Sequence, residues 1–258
     1  MFLAAPTWRG IRFANVWEDV MTTTTNAAPA ASVTAQQLQQ SPTHRALAVA
    51  GGVALLAGPA LFFAGLATSP VQDGLDKASY IESLARDPLL TQVSALLLHY
   101  GNLLMGLGVL ALPWLVRGRR GAVATLIGAL LASVALLGNS GALFADWMHL
   151  ELGRALELGQ AASISDAVLG HPLFQLSFGI APLISLGLLV AAIGLARAGV
   201  LGWWSIPAIV VGYAGMLFLP YSIPILPALG TVPMLAVLVL AGVRVLRRVR
   251  AERVAATV

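Results

Sequence analysis

The sequence predicts an all-α polytopic membrane bundle of six transmembrane helices, with the N-terminus and the C-terminus both cytoplasmic. Three observations predict it: charge is scarce, the charge-free stretches are long, and arginine falls on one side of them. Of the 258 residues, 58% are apolar and only 10% charged, and the mean hydropathy is +0.85. A soluble domain carries about 25% charged residues, which cover its surface in water. This chain has fewer than half as many, so its exterior calls for a hydrocarbon solvent.

Stretches free of Asp, Glu, Lys and Arg run 46–72, 88–116, 121–145, 167–196 and 198–243. A helix needs about 20 apolar residues to cross the roughly 30 Å hydrocarbon core. The first four stretches fit one span each, near 46–67, 89–116, 121–145 and 172–196. The fifth holds two, near 201–219 and 224–243. Between them, Pro220, Pro224 and Pro227 around Tyr221 and Ser222 force a tight hairpin, because proline removes a helix donor. Backbone amides in lipid must bond within their own segment, which makes these spans helical. Barrel strands alternate over about ten residues, a pattern these segments lack.

Orientation follows from the basic residues. With the N-terminus inside, the cytoplasmic pieces hold twelve arginines, at 9, 12, 45, 117, 119, 120, 197, 244, 247, 248, 250 and 253. The outer loops hold only Lys77, Arg86 and Arg154, together with eight of the eleven acidic residues. Because the basic residues cluster at the ends of apolar stretches, the pI of about 10.1 implies the lipid bilayer as partner and no nucleic acid. Fourteen Arg against one Lys fits a GC-rich genome. The absence of cysteine excludes disulfides, thiolate metal sites and cysteine nucleophiles.

Residues 1–45 read as a disordered cytoplasmic tail, rich over 22–43 in Thr, Ala, Gln, Asn and Pro. Arg9, Arg12, Glu18 and Asp19 interrupt any signal-peptide core, and Met21 is an alternative start. Residues 46–243 form the membrane bundle, and residues 244–258 a basic cytoplasmic tail.

Two outer loops are long. The first, 69–88, has Leu75, Ala78, Ile81 and Ala85 at helical spacing, with Asp76, Glu82 and Arg86 on other faces. The second, 146–171, sets Trp147, Met148 and Leu150 beside Glu151, Arg154 and Glu157. Both predict short amphipathic helices at the membrane surface. Gly170, His171 and Pro172 mark the turn into the fourth span. The inner connections, 117–120 and 197–202, are short. Small residues recur at packing spacing: Gly51, Gly52, Gly58 and Gly65 in span one, Gly106 and Gly108 in span two, Gly121 and Gly128 in span three. They let helices approach closely. Pro59, Pro113, Pro182 and Pro207 are candidate kinks.

Ionisable groups inside spans are functional candidates by default, and no span here contains a charged residue. His99 lies near mid-depth of span two, with Asn102 at i+3 on the same helix face. Asn139 and Ser140 occupy the outer half of span three, and Gln175 and Ser177 the outer turns of span four. If these helices adjoin, His99, Asn102, Asn139 and Gln175 line a polar ligand pocket open to the outside. The plainer reading is hydrogen bonding between helices, at about 0.6 kcal/mol on average. A metal site would recruit His99, His149 and His171, with Asp146, Glu151 and Asp166 nearby. No two of these histidines fall at i, i+3 or i, i+4, and paired-histidine haem bundles such as the cytochrome b561 family need ligands on facing spans. No metal or cofactor is therefore expected.

The run Gly138-Asn139-Ser140-Gly141 resembles the Gly-x-Ser-Gly of rhomboid intramembrane proteases. Those enzymes pair the serine with a histidine on their last core span, since a hydroxyl needs a base to become nucleophilic. The last two spans here have no histidine, which sets the resemblance aside. No phosphate-binding glycine loop, dinucleotide fingerprint or HExxH is present, which excludes an ATP-driven pump in one chain. The two three-span halves do not match as inverted repeats.

From His99 to Leu219 the chain resembles a class of uncharacterised small polytopic membrane proteins of GC-rich bacteria. The shared cues are His99 beside the leucines at 96–98, the Arg117-Gly-Arg-Arg120 inner turn, an acidic surface loop, and the run from Gly194-Leu-Ala-Arg197 to Gly202-Trp-Trp204. Trp203 and Trp204 suit the interfacial belt. The resemblance implies a membrane bundle and carries over no activity and no site residues. The reading is a non-enzymatic membrane protein of structural, regulatory or transport-related role. The alternatives are a small-molecule or proton-coupled carrier using the pocket around His99, and an intramembrane metal-dependent enzyme on His99, His149 and His171.

Overall fold

The computed structural model describes residues 42–255 except Leu75, and the side chains of Ser177 and Phe178 are also outside the description. Of the tail read over 1–45, residues 1–41, with the alternative start at Met21, fall outside the described residues, while 42–45 form the first turn of a helix rather than a loose end. Those described form helices and the turns between them, without strands.

Ten helices follow in chain order: α1 Pro42–Ala67, α2 Lys77–Arg86, α3 Pro88–Val109, α4 Ala122–Ala142, α5 Phe144–Ala155, α6 Leu158–Leu169, α7 Pro172–Phe178, α8 Pro182–Arg197, α9 Ser205–Phe218 and α10 Ile225–Ala255. A 3₁₀ turn, Leu112–Leu115, follows α3. Four stretches are long and apolar enough to cross a membrane: α1, α3 with its 3₁₀ turn, α4 continued by α5, and α10. Two apolar helices, α8 and α9, are shorter, at 16 and 14 residues.

Local chemistry sets the breaks. Asp87 caps α3 by accepting from the Leu90 amide at 3.0 Å, with Pro88 in the first turn. The stretch read as span four is divided: α7 closes where the Gly179 amide bonds back to Gln175 O, and α8 restarts at Pro182. Proline at a first turn forfeits no helical hydrogen bond, so this is an inexpensive place to interrupt a helix. Pro113 sits in the 3₁₀ turn and Pro207 in the first turn of α9, whereas Pro59 and Pro233 lie inside α1 and α10. The stretch 244–255, read as a basic tail, continues α10. Val245 and Val249 are buried there, Arg248 pairs with Glu252 at 3.0 Å, and the Arg248 guanidinium donates to Trp114 O.

In the bundle α1 packs on α3 and α10, α4 on α3 and α8, and α9 on α10. Leu55, Met105, Val109, Leu195, Ile209 and Val245 are at most 2% exposed and anchor the core. The outward faces remain apolar: Val123, Val134, Leu173, Leu176 and Phe218 are all more than half exposed. Soluble monomers rarely expose so much apolar surface, and such faces suit a lipid surrounding.

Glycine makes the closest approaches. A Cβ on Gly58 or Gly65 of α1 would stand 2.8 Å from the Met105 or Leu98 amide nitrogen of α3. Between α4 and α8 the backbones nearly touch: a Cβ on Gly128 would lie 2.2 Å from Ala191 N, and one on Gly187 2.3 Å from Ala132 N.

The two long loops do not lie apart from one another. α2 packs against α5 and α6, forming a cap with its own core of Ile81, Leu84, Leu150 and Ala161, each at most 3% exposed. Gly153 permits the contact, since its missing Cβ would meet Ile81 and Ala85 at 2.8 Å.

Candidate functional site

Two of the polar residues singled out in the spans meet. The Asn139 amide donates to Asn102 Oδ1 at 3.2 Å, joining α4 to α3, and Asn102 Nδ2 donates to Leu98 O at 2.9 Å. Both residues line a partly open cavity of about 80 Å³ whose other walls include Phe62, Met105, Leu136 and Tyr213. That is about half the volume of an apolar cavity that holds a benzene.

His99 joins the same helix pair one turn away and lies outside the cavity wall. Its Nδ1 lies 3.0 Å from Ser140 O and 2.9 Å from Ser140 Oγ, while Ser140 Oγ donates to His99 O at 3.0 Å. This contact supplies what sequence reasoning withheld from the Gly-x-Ser-Gly run, a histidine beside the serine, contributed by α3. With the proton on Nδ1 the ring donates to the Ser140 carbonyl and the hydroxyl proton goes to the His99 carbonyl, an arrangement in which every group is satisfied without proton transfer. Ser140 is also only 2% exposed. The arrangement is a reciprocal clasp between two helices.

Gln175 stays apart from these groups. Its Nε2 donates to Leu169 O at 2.6 Å on the exposed surface of α7. His171 caps α7, accepting from the Leu173 amide at 3.3 Å. His149 is in the cap. Among the described residues no three His, Asp or Glu side chains gather as a metal-binding group.

Asp146 and His149, named from the sequence only as weak metal candidates, instead meet Tyr80 and Ser165 in the cap. α5 follows apolar α4 after a break at Leu143 and carries Asp146, Glu151 and Arg154 beyond the apolar span. Tyr80 of α2 donates its hydroxyl to Asp146 at 2.5 Å, and its ring meets His149 edge-on at 5.5 Å. His149 Nε2 lies 2.7 Å from Ser165 Oγ of α6. These residues surround an open cleft of about 390 Å³, lined by Lys77, Tyr80, Asp146 and His149 with Gln72 and Asp76. Lys77 is engaged with Asp166 at 3.2 Å.

The cleft is electrostatically incomplete. His149 is 3% exposed, yet its Nδ1 has no hydrogen-bond partner among the described residues. Burial, aided by the Lys77 charge, pushes its imidazole down to about 4, so the ring is neutral near pH 7. Burial raises the Asp146 carboxyl, partly offset by the Tyr80 hydrogen bond. Burial and the Asp146 charge together hold the Tyr80 phenol well above its ordinary range. No cation lies within 4 Å of Asp146 among the described residues. The His149–Ser165 pair is no nucleophile, because Ser165 is fully buried and does not line the cleft. One signal in the sequence pointed here: Asp146 and His149 stand at i, i+3, the spacing that puts two side chains on one helix face.

Comparison with protein-family models, with curated proteins and with solved structures gives no match. The fold and site therefore define the class, a helical protein with apolar helices that suit a membrane, and no family narrows it further.

Proposed function

We propose that this chain is a non-enzymatic, multi-pass protein of the cell membrane that crosses six times, with both ends cytoplasmic, and presents a small-ligand cleft on its outer face. Four long apolar stretches and two shorter helices, α8 and α9, supply the six crossings. The twelve-to-three division of basic residues supports the orientation. At about 1.5 Å per residue, α8 is about 24 Å and α9 about 21 Å long, so their turns at each end complete the passage.

The observation that carries the binding role is the Asp146 carboxylate in the wall of the cleft, with His149 also lining it and no basic side chain within 4 Å of Asp146 among the described residues. A part-buried carboxylate with no basic side chain within 4 Å among the described residues favours a cation, and a ligand ammonium in the cleft would supply one by donating to Asp146. The bundle cavity supports the carrier reading less well. It is small, and Asn102 and Asn139 are already bonded to each other.

Reporter fusions at Arg120 and Gly159 test the topology: the first should report cytoplasm and the second the exterior. Thermal shift of the purified protein against a series of small primary amines tests the site. At least one amine should stabilise the wild type, and Asp146→Asn should weaken it by about tenfold, the scale of one charge-assisted hydrogen bond. An exterior Arg120, or amines that leave both proteins unmoved, would overturn the reading.

A further inference from the structure

The end of the bundle opposite the cap holds a second cleft, of about 580 Å³, between α4 and α8. Three guanidiniums rim it, from Arg119, Arg120 and Arg197, and its walls are Val123, Ala124, Ile127, Val190 and Ile193. The sequence separates Arg120 from Arg197 widely; the fold unites them by backbone contact. A Cβ on Gly121 would lie 2.0 Å from Gly194 O, and one on Gly194 would lie 2.4 Å from Thr125 N. Only glycine admits that approach, and Gly118 and Gly121, at φ 89° and 75°, also turn the Arg119-Arg120 pair out of the connection. On the other helix Arg197 is the last residue of α8. A left-handed Gly199 follows, with Val200 N bonded to Leu195 O at 2.9 Å and Gly199 N to Ala196 O at 3.0 Å. This is the Schellman closure, and it fixes where the arginine stands.

No carboxylate lies within 4 Å of any of the three arginines among the described residues. Guanidinium forks match phosphate oxygens bidentately. Below them the walls are apolar and open to the surroundings of the bundle: Val123 is 69% exposed and Ile127 48%. A free phosphate would use the rim and leave those walls bare. An acyl chain covers them while its headgroup meets the arginines.

We infer that the Arg119–Arg120–Arg197 cleft is a binding site for one anionic phospholipid, its phosphate held by the three guanidiniums and an acyl chain lying along Val123, Ile127 and Ile193. The inference rests on the membrane assignment and is independent of the cap cleft. Basic pockets between transmembrane helices recognise anionic headgroups on these terms.

The test uses the full-length protein in neutral detergent at physiological salt, with added phosphatidylglycerol, phosphatidylcholine or sodium phosphate. Phosphatidylglycerol should raise the melting temperature and remain bound in native mass spectra, whereas the other two should do neither. Arg119→Gln/Arg120→Gln/Arg197→Gln should lose about a hundredfold in affinity for phosphatidylglycerol, at about fivefold per arginine near an anionic lipid. A matched triple at Arg244, Arg247 and Arg250 should retain it. Equal response to phosphatidylcholine, reproduction by inorganic phosphate, or equal loss in the matched triple would overturn the assignment. If the triple variant does not fold, single glutamine variants at each arginine should each give a partial loss, and three unaffected singles would refute the site.

Discussion

Gly128→Ala isolates the physics that builds the bundle. The added methyl would stand 2.2 Å from Ala191 N and 2.6 Å from Gly187 O, about 1.2 Å short of ordinary contact with that nitrogen. Both obstacles are backbone atoms of α8, so no neighbouring side chain can yield, and the helices must separate along the whole seam. Overpacking of this kind costs about 1–3 kcal/mol, and rigid backbone neighbours place it near the top of that range. Replacing glycine by alanine within a helix returns about 1 kcal/mol. The net expectation is a loss of about 2 kcal/mol. Gly159→Ala is the control, since nothing lies within 4 Å of its Cβ position in α6; it should leave stability unchanged or raise it by up to about 1 kcal/mol. Equilibrium unfolding by titration from mild detergent into dodecyl sulfate reads both. If Gly128→Ala unfolds at the wild-type midpoint, the helices do not meet at their backbones and the α4–α8 packing is wrong.

The Asn102–Asn139 pair should behave as a coupled unit. Asn139→Leu strands the buried Asn102 amide and costs about 1–3 kcal/mol, and Asn102→Leu strands the part-buried Asn139 amide and costs less. The double variant should cost less than the sum, by up to about 1.7 kcal/mol, in the same unfolding titration; strict additivity would mean that the hydrogen bond is absent. The cap should be acid-sensitive through His149. Its folded-state value of about 4 is below the ordinary 6.5, so the unfolded chain takes the proton first. The neutral ring's contribution is therefore complete above about pH 6.5 and lost as pH falls through 4, by up to about 3 kcal/mol. Asp146 works in the opposite sense, its raised carboxyl favouring the protonated folded state in acid. Comparing wild type with His149→Gln separates the two, and identical pH profiles would show that the imidazole is not held neutral.

The spacing of charges made the apolar helices legible. Charge-free stretches mark helices whose faces suit lipid, and the prolines at 220 and 224 mark where α9 must end before α10 begins. The glycines at 58, 65 and 128 were legible as contact points for the same reason, that a missing side chain shows in one letter. The partner glycines 187 and 194 were not, because nothing local tells which helix a small residue faces. The helicity of the basic run at the end of α10 was not legible, since it depends on Val245 and Val249 finding a buried face.

By itself, the sequence determined that this protein is helical and apolar enough for a membrane; solvent preference and backbone hydrogen bonding act on neighbours along the chain. Only the tertiary structure decided which polar groups satisfy each other and which are left over. His99 and Ser140 are 41 positions apart and bonded, Tyr80 and Asp146 are 66 apart and bonded, and His149 Nδ1 is buried without a partner among the described residues. Satisfaction of a buried hydrogen bond is a property of pairs brought together by packing, and packing is settled by the whole bundle at once.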